Sequence, residues 1–429
     1  MGSIFYYLET AVVLVVMFSV LVAAHELGHY LFARLFNMGV EEFAIGFGKE
    51  PIFQWMKRTY TIPIKDDEVA AIVHTSSGID IEGSGHRPAE DMVEEESPSG
   101  KILRETTRFT VRPWPLGGFV RIKGMLPEED GSETTIAGGF YNKPPIQRLV
   151  VLFAGPLFSV LAGILILTPL YMTTGKGVPD LSPQIGAVSP EGPAGKAGLK
   201  EKDIVDSVDG KPISKFYELI SIVRVSPDKE LTLGIHRQGK PMTIKVTPIL
   251  EKKPSPVLGP DLEPTKEMKI QAKLLTGPNV TRVPVGFTEA LAMAVSRPVE
   301  AVTGLFDMLK KPATIKDSVG GTISITVVTY DRVQQGLAAI FELAALLSIS
   351  VGILNLLPIV PLDGGQMALC FAELFRGGRR LSMKVQNVAS LCGMAFIGML
   401  IISVCFLDIN RLFTANQSSK PAASKKANP

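Results

Sequence analysis

The stretch Val20-Leu21-Val22-Ala23-Ala24-His25-Glu26-Leu27-Gly28-His29-Tyr30-Leu31-Phe32-Ala33 decides how the rest of the chain is read. Two histidines four positions apart stand one turn from each other on the same helix face, where both imidazoles can grip one metal ion. Glu26 between them is placed to take a proton from water activated by that ion. The surroundings give the pattern its weight. Residues 10–24 carry no charged side chain, and the apolar run 4–33 is long enough to cross a bilayer at about 1.5 Å per residue. Ionisable groups at such depth are costly and are kept for function. The expectation is a zinc peptidase whose reacting groups lie within the membrane.

Composition agrees with this. The chain has 429 residues, 46% of them hydrophobic, and a mean hydropathy of +0.25, which suits an integral membrane protein with a substantial soluble part. Its 44 basic and 42 acidic side chains nearly cancel, so no charge excess points to nucleic acid as a partner. Cys370, Cys392 and Cys405 lie in or beside apolar segments without metal-finger spacing, which argues against both a disulfide framework and a cysteine zinc site. The first nine residues contain no Lys or Arg and the apolar run after them is long, so a retained membrane helix is expected rather than a cleaved signal peptide.

Four transmembrane helices are expected, over 4–33, 149–172, about 337–357 and about 385–407. Between the last two, Arg376, Arg379, Arg380 and Lys384 face only Glu373, which places that short loop in the cytoplasm. Alternation then puts the termini and the 173–336 region outside it, although Arg411, Lys420, Lys425 and Lys426 in the tail pull the other way. The short loop is given precedence because its charges sit nearer the membrane ends. Between the first two helices, Phe43 to Gly48 is too short to span and reads as re-entrant or interfacial chain. Tyr60 to Ile64, Arg108 to Arg112 and Pro115 to Ile122 read as strands, the last with a glycine turn. The acidic insert at about 65–105 reads as solvated loop, and its His74 and His86 as loop residues. The expected organisation is a first helix to 36, a re-entrant and β-hairpin region to 146, a second helix to 173 and an α+β module over 174–250. A Pro/Lys-rich linker and amphipathic helical region follow to 335, then helices over 336–365 and 384–408 and a polar tail.

Two histidines do not complete a catalytic zinc site, which takes three protein ligands and leaves one position open. Asn355-Leu356-Leu357-Pro358-Ile359-Val360-Pro361-Leu362-Asp363-Gly364-Gly365 offers the missing oxygen ligand at the end of the third helix. Its prolines break the helix, and unwound chain at membrane depth is tolerated only where it is buried or lines a wet cavity. Together with Gly46-Phe47-Gly48, Pro115-Leu116-Gly117-Gly118-Phe119 and Phe153-Ala154-Gly155-Pro156, these motifs resemble the site-2 protease family of intramembrane metalloproteases, in its bacterial regulator-of-sigma-E branch. The resemblance covers nearly the whole chain. It implies a polytopic α-helical membrane protein with a membrane-associated β element and an inserted α+β PDZ domain. It implies Zn2+ held by His25, His29 and Asp363, with Glu26 as general base. Asn355 and Pro358 would hold the substrate backbone, and Gly117, Gly118 and Phe119 would belong to a β element that pairs with an extended substrate.

The implied partners are a single-pass membrane protein substrate (an anti-sigma factor or a signal-peptide remnant), membrane lipid, and a peptide C-terminus at the PDZ domain. The implied location is the inner membrane, with the active site toward the cytoplasm and the PDZ domain outside. Pro193 to Leu199 and Asp203 to Gly210 carry the PDZ resemblance. Three departures stand out: one PDZ domain where relatives carry two, Gln366 where relatives often have histidine, and the acidic insert. The alternative from another class is a scaffold or chaperone that binds transmembrane helices without cutting them, but it would lack a ligand or the base. A metal transporter would show polar positions along a path, often in repeated halves; one cluster and no repeat are found.

Overall fold

The computed structural model describes residues 2–63, 94–97, 100–125, 134–250, 255–262, 264–269, 272–310, 321–379 and 381–418. The chain forms two compact units, Met1–Leu170 with Phe287–Pro429, and Tyr171–Gly286. Among the described residues, four helices are long and apolar enough to cross a membrane: Tyr6–Leu35, Pro145–Thr174, Leu337–Asn355 and Lys384–Asn410.

In the first unit, helix α1 (Gly2–Leu35) runs unbroken because its long middle holds no proline. It stops where Asn37 takes a left-handed φ of 53° and the Met38 N–H donates to the Ala33 carbonyl at 2.8 Å, a common way to close a helix. Strands β1 (Val40–Phe47), β2 (Phe53–Pro63), β3 (Glu94–Ser97), β4 (Gly100–Val111) and β5 (Trp114–Ile122) follow. They form a sheet in the order β2-β4-β1-β5, with β3 on β4. The segment expected to be re-entrant is therefore β1, parallel to β4 and antiparallel to β5. A short apolar run reads alike in a buried strand and in an interfacial loop, and only the neighbours separate the two. Likewise β5 continues through Gly117 and Gly118 without a turn.

Glu42 of β1 is 1% exposed. Burial opposes its ionisation, but the Thr110 hydroxyl and the Arg112 guanidinium, both bonded to it, outweigh that and hold the carboxyl below its ordinary pKa. Arg112 also reaches the Gly48 and Lys49 carbonyls, so one buried cation fastens the loop after β1. The acidic insert ends in β3 and the start of β4 rather than in loop. His74 and His86 lie outside the described residues. Helix α2 (Pro145–Thr174) completes this half, and Tyr30, Met38, Phe43, Phe109, Ile122 and Val151 meet in one core.

The second unit contains β6 (Lys176–Pro179), β7 (Ile185–Val188), α3 (Pro193–Lys196), β8 (Ile204–Val208), β9 (Lys211–Pro212), α4 (Phe216–Arg224), β10 (Leu231–Arg237) and β11 (Lys240–Val246). Its main sheet has the order β11-β10-β8-β9. Alternate β10 residues Leu231, Leu233 and Ile235 point inward and meet Phe216, Leu219 and Val223, which share one face of α4. The linker expected after residue 250 is built chain. β12 (Ile249–Leu250) pairs β15 (Ala272–Lys273), and β13 (Ser255–Leu258) pairs β14 (Pro264–Lys269). β16 (Thr276–Pro278) returns to β7 and β17 (Val280–Val283) to β6. Proline and lysine signal a linker by composition, yet both are at home on short edge strands.

The chain then returns to the first unit with α5 (Phe287–Lys310), α6 (Thr322–Gln335), α7 (Leu337–Asn355), α8 (Asp363–Phe375) and α9 (Met383–Ser418). Asp408 of α9, 2% exposed, accepts bonds from the Gly321 and Ser324 N–H groups and the Ser324 hydroxyl, capping α6 from another helix. Arg148 of α2 and Glu373 of α8 form a buried ion pair at 2.7 Å.

Candidate metal centre

Helix α1 places His25 and His29 on one face, 6% and 7% exposed, and α8 brings Asp363 to them from the far end of the chain. Asp363 does not end the third long helix. Helix α7 stops at Asn355, seven residues of loop follow, and Asp363 opens α8, where a helix N-terminus favours a carboxylate. His25 Nε2 lies 3.2 Å from His29 Nε2 and 3.0 Å from Asp363 Oδ2, and His29 Nε2 lies 3.4 Å from the same oxygen.

The outer nitrogens hold both rings in place and, at His29, fix what the inner one offers. His29 Nδ1 lies 2.8 Å from the Val151 carbonyl, which accepts only, so Nδ1 carries the hydrogen and Nε2 presents its lone pair. His25 Nδ1 lies 2.9 Å from the Ser159 hydroxyl, leaving its Nε2 turned toward the same point. Two inner ring nitrogens, one of them bound to present its lone pair, and a carboxylate oxygen thus converge, an arrangement a cation reconciles. Donors at about 2.0–2.1 Å from a tetrahedral zinc stand roughly 3.3 Å apart, so the three separations fit that ion. Among the described residues this is the group of three metal-binding side chains within reach of one another.

Glu26 follows His25 in the chain and turns to a different partner: its Oε2 accepts the Val120 N–H of β5 at 2.9 Å. The Ser19 hydroxyl holds the Pro115 carbonyl further up the same helix, so β5 runs beside α1 as the outer strand of its sheet. A cavity of about 380 Å³ opens here, lined by His25, Glu26, His29, Phe119, Asn355 and Asp363. Asn355 Nδ2 stands 3.4 Å from His25 Nε2. The other substrate-binding candidates lie elsewhere. Pro358 is exposed in the α7–α8 loop. Gly117 and Gly118 are in β5 but off the cavity wall, and a side chain at Gly118 would meet the Ala44 carbonyl at 2.6 Å.

Val151 and Ser159 were not found by reading the sequence. A carbonyl leaves no trace in it, and a single serine in an apolar helix gives little, since such hydroxyls commonly bond their own backbone. Gly28 also gains a reason: a Cβ there would collide with the Ala154 carbonyl, so α1 and α2 touch backbone to backbone at the motif.

The sequence pattern of peptidase family M50 matches residues 13–65 and 99–400. The chain belongs to this family. The unmatched residues between those blocks fall in the acidic insert. Similar proteins include the regulator of sigma-W protease RasP of Bacillus subtilis, 28% identical over 95% of this chain and 100% of the relative. The zinc metalloprotease RasP of Bacillus licheniformis is also 28% identical, over 95% of this chain and 100% of that protein. M50 membership and these relatives make the chain a zinc metalloprotease.

Proposed function

We propose that the chain is an intramembrane endopeptidase that cuts a transmembrane segment of another membrane protein, with His25, His29 and Asp363 holding zinc and Glu26 as general base. The observation that carries this reading is the convergence of three donors beside Glu26 on the wall of one cavity, two of them on a helix long and apolar enough to span a bilayer. Zinc bound there would polarise the scissile carbonyl and acidify the attacking water. Glu26 takes the proton of that water and passes it to the leaving amine. Asn355, with its amide at the cavity wall, holds a substrate carbonyl. A helical substrate hides its scissile bond in backbone hydrogen bonds, so it must unwind and find replacement partners. The outer edge of β5 between the Pro115 carbonyl and the Val120 N–H that α1 holds, with Phe119 facing the cavity, supplies them by strand addition.

The substrate class is a single-pass protein already shortened outside the membrane, an anti-sigma factor or a signal-peptide remnant. The relative named as a regulator of sigma-W protease supports the first. The second unit is read as a single PDZ domain on the non-cytoplasmic side, whose strand-addition groove senses a peptide C-terminus. Its four-stranded sheet with α4 packed on it supports that reading. The Arg148–Glu373 pair supports the alternation of the spans, because it sets the start of α2 and the end of α8 on the same side.

Cleavage of a model transmembrane substrate by purified protein in detergent tests the proposal. Wild type is expected to cut, whereas Glu26→Gln, which keeps the shape but cannot accept a proton, binds zinc and yields no product. Equal cutting by both proteins defeats the assignment of Glu26. Zinc-loaded wild type that cuts none of several unrelated substrates favours a helix-binding scaffold.

A further inference from the structure

Helix α2 gives the centre no imidazole and no carboxylate, yet three of its residues face it. Val151, Gly155 and Ser159 follow one another at intervals of four, which places them in one stripe along the helix. The Val151 carbonyl holds His29 Nδ1 at 2.8 Å and the Ser159 hydroxyl holds His25 Nδ1 at 2.9 Å. Ser159 is 0% exposed, and its own carbonyl accepts the hydroxyl of Ser348, also 0% exposed, at 2.7 Å. Ser348 belongs to α7, which ends at Asn355, so the contact ties α2 to the element carrying that residue. Between the two anchoring positions stands Gly155. A Cβ there would lie 2.5 Å from His29 Cε1 and 2.8 Å from His25 Nε2, inside any normal contact distance.

We propose that Val151, Gly155 and Ser159 form a positioning stripe for the metal centre. Val151 fixes the tautomer and ring plane of His29, Ser159 holds the ring plane of His25, and Gly155 keeps open the space in which their inner nitrogens meet a cation. The stripe rests on the reading of His25 and His29 as zinc ligands. Its physical basis is general: an imidazole that binds a metal through one nitrogen is oriented by what the other bonds, and loss of that partner weakens metal binding by about 10–100-fold. At Gly155 the mechanism is steric. Alanine is a better helix former than glycine, so a loss on Gly155→Ala cannot come from helix propensity.

The test measures zinc affinity by chelator competition on the full chain in detergent, alongside the thermal midpoint with and without zinc. The proteins compared are wild type, Ser159→Ala, Gly155→Ala, His29→Ala and, as a control, Gly398→Ala, where an added Cβ meets nothing within 4 Å. Expected are a zinc affinity lowered by about 10–100-fold in Ser159→Ala, a larger loss in Gly155→Ala, and no change in Gly398→Ala. The zinc-free midpoint of Ser159→Ala falls by no more than the loss of one buried hydrogen bond, while the rise in midpoint on adding zinc shrinks with the affinity. Ser159→Ala binding zinc as tightly as wild type, while His29→Ala loses it, overturns the stripe and leaves the ligand reading intact. A fall in the zinc-free midpoint of Ser159→Ala with unchanged affinity marks a packing role and also overturns it. Wild-type affinity in His29→Ala overturns the ligand reading and the stripe together.

Discussion

Glu26 follows His25 in the chain but is aimed by a strand that arrives 94 residues later, through the Val120 N–H. That N–H points away from β1 and toward α1, so a proline at 120 removes this bond and leaves the β1–β5 ladder in place. Val120→Pro is expected to keep its zinc and lose at least about tenfold in turnover, part of the 10²–10⁴ that a general base supplies. Steady-state rates with zinc content measured on the same sample check this; an unchanged rate means that the strand does not aim Glu26. That His25, His29 and Asp363 come together was legible, because chemistry restricts which side chains suit a metal-binding pattern. The aim of Glu26 was not legible, because a backbone N–H belongs to every residue but proline.

At the scale of elements, α8 matters because it carries Asp363 at one end and Glu373 at the other. Glu373 is 2% exposed and its partner Arg148 4% exposed, so the pair is desolvated and locks α8 to α2. Arg148→Met leaves a buried carboxylate without its cation and is expected to cost about 3–5 kcal/mol. Arg148→Met combined with Glu373→Met is expected to recover much of that, since both charges are then gone. Denaturant unfolding in detergent distinguishes the two, and equal losses in both proteins refute the pairing argument. Reading α8 from sequence failed for a definite reason. Asp363-Gly364-Gly365 carries ordinary turn residues, and the apolar residues after it resemble a continuation of the preceding helix. Strand β1 failed similarly, as its apolar run suits a buried strand and an interfacial loop equally.

For the whole molecule, the cluster of His25, His29 and Asp363 joins α1 to α8 within one unit, and none of these three residues belongs to the other. Anything that binds only the folded state stabilises it, by about 4 kcal/mol at a thousand times Kd. Chelating the zinc is therefore expected to lower the unfolding midpoint of the first unit while hydrogen exchange in residues 204–237 stays unchanged. A parallel loss in both units counts against this division. The second unit has its own pH dependence. Asp203 is 1% exposed, and its burial favours the neutral acid, but the Arg237 guanidinium at 2.7 Å and the Lys200 N–H outweigh that and lower its pKa. A carboxyl lowered on folding contributes stability that is complete above its unfolded value of about 3.9 and disappears as pH falls through the folded value. Asp203→Asn is expected to flatten this acid limb, read as hydrogen exchange of β8 and β10 from pH 6 down to pH 3.

What the sequence determined by itself was the chemistry and the count of spans. Both depend on residue type at short range: a helical turn between two histidines, an acid after a broken helix, and apolar runs as long as a bilayer is thick. What only the tertiary structure decided was which backbone meets which. The central place of β1, the built chain after residue 250, the Val120 bond to Glu26 and the stripe on α2 all rest on main-chain groups or on the absence of a side chain. Such features leave almost no mark in the sequence, because peptide groups are alike along the chain and acquire a role only through what folding sets against them.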